Sequence, residues 1–169
     1  PTDLVHTSLV HGHPVAVLPA DHPLAAYAEV TTDQLRAEPF VAMRAGYLMH
    51  RFAHRLFGPD MPSVSYTTDG AELGKIMVAE GLGLTVLPDY SVTGDPMERA
   101  GLITVRPLAH DSTSVSLALQ QRRQQHVPRP VRDLEMALLR HARARARQPT
   151  PGPAGDLGTD PVGVASQNP

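Results

Sequence analysis

The sequence predicts an α/β fold, in which short apolar strands alternate with amphipathic helices. A continuous apolar run at residues 15–18 is typical of a strand that is covered on both faces of a sheet, and residues 84–88 predict another strand. Between these runs, Leu48, Phe52 and Leu56 recur every four residues and predict an apolar stripe on a helix. Strands that alternate with helices favour a sheet with crossover connections.

Turn and cap signals separate the predicted elements. Thr32 or Asp33 can cap a short helical turn, and Gly58 with Pro59 ends the helix that carries the stripe. Asp69 stands where the N-cap of a further helix belongs. The predicted strands are residues 15–18, 38–43, 63–68, 84–88, 102–108 and 114–122.

Two further helices have predicted buried faces. The helix after Asp69 is expected to bury Leu73, Ile76 and Met77 and to end at Gly81, where a left-handed residue is needed. The last helix covers residues 130–147, and its predicted buried side is formed by Val131, Leu134 and Leu138.

The strand at residues 15–18 stops at a run that contains Pro19 and Pro23. Each proline fixes φ and removes an N–H donor, so the strand cannot continue through this run. His22 lies between the prolines and is expected to hydrogen-bond locally, with a catalytic or metal role as the alternative.

Composition limits the classes of protein that fit. The chain has 169 residues, enough for about one domain. Its 15 basic and 17 acidic residues give a net charge of −2, which argues against an electrostatic grip on nucleic acid by the whole domain. It has no cysteine, and therefore no disulfide and no thiolate metal site. No apolar run is long enough to span a membrane, and the start does not read as a signal peptide.

Three ordered motifs resemble the effector-binding domain of LysR-type transcriptional regulators. They are "PVAVLPADHPLA", "DQLRAEPFVAM" and "IMVAEGLGLTVLP", and the last is the most specific. The resemblance covers residues 9–140. It implies a periplasmic-binding-protein-like (type 2) sensor domain, here mostly one lobe with a mixed sheet flanked by helices. The winged helix-turn-helix and the N-terminal part of the first lobe are not among the matched residues.

The resemblance also implies a division of the chain. Residues 1–148 are expected to form a partial effector-binding domain. Within it, residues 20–105 are the second lobe, and residues 106–148 return to the first lobe. Residues 149–169 are rich in proline and glycine and are expected to form a disordered tail, with a ligand for a proline-recognising domain as the alternative.

Two loops are the candidate binding site, because ligands of open α/β sheets collect beyond the carboxyl ends of strands, near helix N-termini. Arg44 offers a donor fork suited to carboxylate, Tyr47 a ring and a hydroxyl, and Thr68 a hydroxyl. The alternative is that Asp69 only caps a helix, Gly46 only turns the chain and Arg44 is only solvated. The resemblance places both loops on the wall of the effector cleft, formed by Arg44, Ala45, Gly46, Tyr47, Thr68, Asp69 and Gly70.

Other residue groups carry weaker signals. His50 and His54 have the spacing by which two imidazoles can share a zinc ion, but no third ligand is evident and neighbouring arginines repel cations. His11 and His13 are a similar loop pair. The basic run at residues 140–148 suits the negative end of a helix dipole, with nucleic-acid contact as the alternative.

The sequence is therefore interpreted as the ligand-sensing domain of a transcription regulator in the cytoplasm, with no catalytic residue, metal or cofactor. Its expected partners are a small, anionic effector and further copies of the chain through the sensor domain. DNA would be bound only through a winged helix outside the matched residues, and no membrane contact is expected. The alternatives are a solute-binding protein of the same fold class and an enzyme built on the bilobal fold.

Overall fold

Strands and helices alternate in the computed structural model, which describes residues 3–123 and 127–146. The strands are β1 (Leu4–Gly12), β2 (Pro14–Pro19), β3 (Phe40–Met43), β4 (Val64–Thr68), β5 (Thr85–Pro88), β6 (Ile103–Pro107) and β7 (Val115–Arg122). The α-helices are α1 (Thr32–Arg36), α2 (Leu48–Phe57), α3 (Ala71–Ala79), α4 (Pro96–Arg99) and α5 (Arg129–Ala146). The mixed α/β class that the sequence predicts is confirmed. None of the helices in these two ranges is both long and apolar enough to cross a membrane.

The main sheet is mixed. β2 lies between β5 and β6 and is antiparallel to both, while β3 and β4 pair in parallel. A parallel bridge between Phe40 and Leu84 joins the β3–β4 pair to β5, with the N–H of Val41 donating to the Leu84 carbonyl at 2.8 Å. β2, β3 and β5 are buried along nearly their whole length, which explains their continuous apolar sequences.

A separate two-stranded sheet is formed by β1 and β7, which pair antiparallel. β1 was missed in the sequence analysis, although its "LVHTSLVHG" run is rich in β-branched residues. Gly12 ends β1 at a close approach, because a Cβ there would lie 2.0 Å from Oδ1 of Asp89 and 2.7 Å from Cδ1 of Tyr90. Any larger residue where the chain passes from one sheet to the other would force the side chains of Asp89 and Tyr90 to shift.

α2 covers one face of the main sheet. The rings of Phe40 and Phe57 meet edge to face, with centroids 5.4 Å apart. Of the predicted stripe, Phe52 is buried and Leu56 is half-buried, but Leu48 is exposed and that prediction was wrong. The buried face of α2 is shifted from the predicted stripe by about one position along the sequence. It consists of Met49, Phe52, Ala53 and Phe57.

The predicted buried face of α3 was also wrong. Leu73 and Ile76 are 46% and 44% exposed, and Met77 is only half-buried. The face that packs on the sheet contains Gly74, Lys75 and Val78. Small residues let this helix approach closely: a Cβ on Gly74 would lie 2.9 Å from the Cε methyl of Met43.

α5 lies mostly in solvent. Of the residues predicted to be buried, Val131 is 46% and Leu134 is 59% exposed, while Leu138 is half-buried. The helix packs against β1, and Nε2 of Gln121 on the neighbouring strand β7 donates to Oε1 of Glu135 at 3.4 Å. Two neighbouring strands offer α5 a smaller surface than the main sheet offers α2 and α3, so its apolar stripe is only partly covered.

Several local signals hold with small shifts. α1 is capped by Thr31 instead of Thr32 or Asp33, in a capping box with Gln34. Gly58 and Gly81 both have positive φ at the ends of their helices, as predicted. His22 Nδ1 accepts a hydrogen bond from the N–H of Leu24 at 3.1 Å, which confirms its local role. The predicted tail at residues 149–169 and the last two residues of the basic run lie outside the described residues.

Candidate functional site

The two candidate loops meet at one edge of the main sheet. β3 and β4 are parallel, and their last residues, Met43 and Thr68, are direct partners in the register. The N–H of Arg44 donates to the carbonyl of Thr68 at 2.9 Å just beyond this pair. Parallel strands end on the same side, so the loops that follow them are neighbours. The structure thus brings together all seven residues that the sequence analysis placed in the site.

Arg44 and Asp69 form an ion pair across this edge. Nη2 of Arg44 donates to Oδ2 of Asp69 at 2.6 Å, and both side chains are more than half exposed. Asp69 is therefore not the N-cap of α3, as the sequence suggested; the N-cap is Gly70. The carboxylate contacts the arginine 25 residues away instead of its own helix. Arg44 presents a charge that is partly neutralised but accessible to solvent.

Two helix N-termini open onto the same edge without side-chain caps. Tyr47 is the N-cap of α2 and Gly70 that of α3, and no N-cap side chain bonds the first turn of either helix. The first N–H groups of a helix have no partner within the helix and carry the positive end of its dipole. Gly46, at φ 100°, turns the chain from β3 into α2. The edge can therefore accept hydrogen-bonding anions.

The side chain of Thr68 hydrogen-bonds the backbone of the second loop. Its side chain is buried, and its Oγ1 donates to the carbonyl of Gly70 at 3.0 Å and accepts from the N–H of Gly70 at 3.3 Å. This turn fixes the residue from which α3 begins. The hydroxyl that the sequence analysis offered to a ligand is therefore engaged by the backbone of its own loop.

A cavity of about 310 Å³ adjoins the first loop on the α2 side of the sheet. Arg44 and Ala45 belong to its lining, while Tyr47 is exposed on the outer side of the loop. The other lining residues are mostly apolar and come from β3, α2 and the segment that leads into β4. The cavity thus places mostly apolar side chains beside Arg44.

Lys75 is the single lysine of the chain, and no role for it was predicted from the sequence. Its side chain lies on the buried face of α3 and is 1% exposed. Its Nζ donates to the carboxylate of Asp95 and to the carbonyl of Ser91, and it lies 3.0 Å from Oε1 of Glu72. Burial lowers the pKa of Lys75, but the hydrogen bonds and charges of Asp95 and Glu72 outweigh it and leave the pKa above 10.5. Burial raises the pKa of Asp95, and the bond to Lys75 brings it below 3.8. The group anchors α3 and so holds the second loop.

Of the two histidine pairs that the sequence offers as metal ligands, the first has separate partners and the second is in contact. His11 contacts Ser8 and Ser116, each at 2.9 Å, whereas His13 contacts the carbonyl of Thr113 at 3.0 Å. His50 and His54 do meet, with their Nε2 atoms 3.2 Å apart. In the part of the chain that the structure describes, no three histidine, aspartate or glutamate side chains are grouped as metal ligands.

Comparison with known proteins identifies the family. The family model described as "LysR substrate binding domain" matches residues 1–143. The chain belongs to the LysR substrate-binding domain family. The resemblance seen in the three motifs is thereby confirmed.

Named relatives of this LysR domain are regulators of transcription. The chain is 31% identical over 74 residues to the uncharacterized HTH-type transcriptional regulator YybE of Bacillus subtilis, covering 43% of this chain and 25% of that protein. It is 29% identical over 117 residues to the HTH-type transcriptional regulator TtuA of Agrobacterium vitis, covering 63% and 38%. The matched part is thus less than half the length of either relative.

Solved structures of LysR regulatory domains share the fold. The CcmR regulatory domain of Synechocystis in complex with 2-PG superposes with a TM-score of 0.69 at 17% identity, covering 83% of this chain and 67% of that one. The effector-binding domain of QuiR in complex with shikimate gives 0.68 at 13%, covering 85% and 67%. The reduced OxyR regulatory domain of Pseudomonas aeruginosa gives 0.65 at 26%, covering 85% and 68%. The periplasmic-binding-protein-like fold of the LysR domain is confirmed.

Proposed function

We propose that this LysR domain senses a small organic anion, bound where β3 and β4 end. The ligand is held by the loop of residues 44–47 and the loop of residues 68–70. Arg44 supplies a guanidinium, and the first turns of α2 and α3 supply backbone N–H groups. A carboxylate, which accepts several hydrogen bonds at once, fits such a donor set.

One observation carries the proposal: two helix N-termini without side-chain caps adjoin an exposed arginine at a single strand edge. The Met43–Thr68 register makes these features neighbours. Each of them favours negative charge, and the effects act in the same direction. A neutral acceptor would gain less than an anion from the guanidinium and the two helix dipoles.

Asp69 competes with an incoming anion for the guanidinium of Arg44. Its carboxylate already occupies Nη2 of Arg44, so an incoming anion either shares the guanidinium through its other N–H groups or displaces Asp69. Exposed ion pairs of this kind contribute only about 0–1 kcal/mol. Displacing Asp69 from Arg44 therefore costs little free energy. Without a ligand, the Asp69 carboxylate takes the place of the anion at Arg44 and keeps the loop ordered.

The ligands named for two structural neighbours are compatible with this proposal. CcmR was solved with 2-PG and QuiR with shikimate, and shikimate is a carboxylate. These ligands belong to those proteins, and the low identity leaves the effector of this chain open to experiment.

We infer self-association through the exposed side of α3. Leu73 and Ile76 are both nearly half exposed on this side, and Leu82, just beyond the helix, is also exposed. Exposed apolar residues that cluster on one helix face mark interaction surfaces. A second copy of the chain is the occupant we propose.

The remaining expectations are part of the same proposal. Residues 20–105 act as the second lobe, and residues 106–148 return the chain to the first lobe. The domain senses its effector and catalyses no reaction, in agreement with the names of its relatives. DNA is contacted by other parts of the whole regulator, and the protein acts in the cytoplasm.

A panel titration tests the anionic ligand. We would titrate the 169-residue chain by calorimetry with shikimate, benzoate and malonate, each beside its neutral amide or methyl ester. The proposal requires at least one acid to bind and its neutral partner to bind much more weakly. Equal binding of acids and neutral partners, or binding of neutral compounds alone, would refute it.

A further inference from the structure

His50 and His54 lie one turn apart on α2, and their side chains converge. Their Nε2 atoms are 3.2 Å apart, and the ring centroids are separated by 4.4 Å. Both rings line the 310 Å³ cavity beside β3. In the absence of a ligand, the two Nε2 atoms can share one hydrogen bond, in which one nitrogen donates its proton and the other accepts it.

The separation of these nitrogens matches that of two ligands on one metal ion. Metal–nitrogen bonds of about 2.0–2.1 Å at a tetrahedral angle place the two nitrogens about 3.3–3.4 Å apart. The observed 3.2 Å is close to this value. An ion can therefore be bound without a change in helix geometry, once the donor histidine moves its proton from Nε2 to Nδ1.

Two of the guanidinium groups near the pair contact other side chains, while Arg51 is exposed. The guanidinium of Arg55 lies over the ring of Phe52, 5.3 Å from its centroid, and Arg44 is paired with Asp69. Met43 and Met61 both line the same cavity and carry thioethers, and the Cε methyl of Met43 also lies close to Gly74. Imidazole and thioether ligands favour late transition metals over magnesium or calcium.

We propose that His50 and His54 together bind one late first-row transition-metal ion, Cu²⁺, Ni²⁺ or Zn²⁺, through their Nε2 atoms. The remaining coordination positions open into the cavity, where water fills them. The ion links two successive turns of α2 directly after the loop of residues 44–47. It forms a site distinct from the anion site, and neither site needs the other to be occupied.

Calorimetric titration with each metal salt at pH 7.5 tests this site. We expect one ion per chain, with Cu²⁺ bound most tightly and Mg²⁺ not bound. His50→Gln and His54→Gln should each weaken Cu²⁺ binding by at least about 10–100-fold. Loss of a residue that only hydrogen-bonds a metal ligand already costs this much, and loss of the ligand itself should cost no less. His6→Gln is the matched control, because His6 is an exposed histidine on β1, and it should bind like wild type. Binding should weaken at pH 5.5, where protons compete for imidazole.

Electron paramagnetic resonance of the Cu²⁺ complex provides a second readout. Wild type should show two coordinated nitrogens, and each single variant should show one. Wild-type affinity in either His50→Gln or His54→Gln, an equal loss in His6→Gln, or comparable binding of Mg²⁺ would overturn the proposal. So would a Cu²⁺ spectrum that both variants leave unchanged.

Discussion

Lys75 and Asp95 form an ion pair beneath α3, in which the lysine ammonium is 1% exposed and donates to the carboxylate. Asp95 also accepts the N–H of Met97 at 2.9 Å and so caps α4. One pair thus joins the helix that begins at the candidate site to the segment that precedes β6. A buried charge without its partner is costly, so this pair yields the strongest stability prediction.

Replacing Lys75 by methionine should lower the free energy of unfolding by about 3–5 kcal/mol, because the Asp95 carboxylate is left without its partner. Urea denaturation at pH 7 measures the change. The double variant Lys75→Met with Asp95→Asn should recover most of the loss, since no unpaired charge remains. A loss below about 1 kcal/mol in the single variant would mean that the pair does not hold α3 in place.

The same pair predicts how stability depends on pH. The folded pKa of Asp95 lies below its ordinary value of 3.8, so its contribution is present above 3.8 and is lost as the pH falls through the folded value. The pKa of Lys75 lies above 10.5, so its contribution is complete below 10.5 and is lost as the pH rises through the folded value. Thermal melts of the Lys75→Met, Asp95→Asn variant should show less acid destabilisation than wild type below about pH 4. Parallel curves for the two proteins would contradict this.

The two faces of α3 should respond differently to truncation. Val78→Ala on the buried face should cost roughly 1.5–3 kcal/mol, whereas Ile76→Ala on the exposed face should cost less than about 0.5 kcal/mol. Chemical denaturation of both variants measures the difference. Had the sequence-predicted face been correct, the order of the two costs would be reversed.

Self-association through α3 can be separated from stability by charge. Ile76→Asp places a carboxylate on the exposed face and should shift sedimentation toward the monomer, with wild-type far-UV circular dichroism. Leu134→Asp on α5 is a suitable control, because Leu134 is even more exposed but lies outside the proposed surface. Equal sedimentation of wild type and Ile76→Asp would exclude this face as the interface.

Strands and helix positions could be predicted from the sequence because they depend on neighbouring residues. Residues 15–18 and 84–88 form strands at the predicted places, and Gly58 and Gly81 end their helices. The faces of α3 and α5 could not be predicted in this way. Apolar residues such as Ile76 lie on an exposed face, and a lysine is buried because a carboxylate 20 residues away neutralises it.

The seven residues of the site were brought together by one predictable feature, the ends of successive parallel strands. Their individual roles depended on which partner each side chain takes, a distant one for Asp69 and a local one for Thr68. Asp69 had the sequence position of an N-cap, but it pairs with Arg44, and the hydroxyl of Thr68 is used by Gly70. No local pattern distinguishes these outcomes from the predicted ones.

Thr68→Val should act on the loop before it acts on the ligand. Removing the buried hydroxyl leaves the N–H of Gly70 without its partner, although the carbonyl keeps its bond from the N–H of Gly74, and should cost about 0.5–1.5 kcal/mol of stability. Thermal unfolding measures this loss, and Thr67→Val, at an exposed neighbouring position, is the control. Unchanged melting of Thr68→Val would show that the turn does not depend on the side chain.

The central claim, an anion at the edge where β3 and β4 end, is tested most directly at Arg44. We would titrate wild type and Arg44→Ala by calorimetry with the tightest-binding acid among shikimate, benzoate and malonate. Loss of a charge-assisted hydrogen bond should weaken binding by about 1.5–3 kcal/mol, while Arg51→Ala, an exposed arginine on α2, should leave the affinity unchanged. Equal affinities of Arg44→Ala and wild type would contradict the account and would require the ligand to be placed elsewhere on the domain.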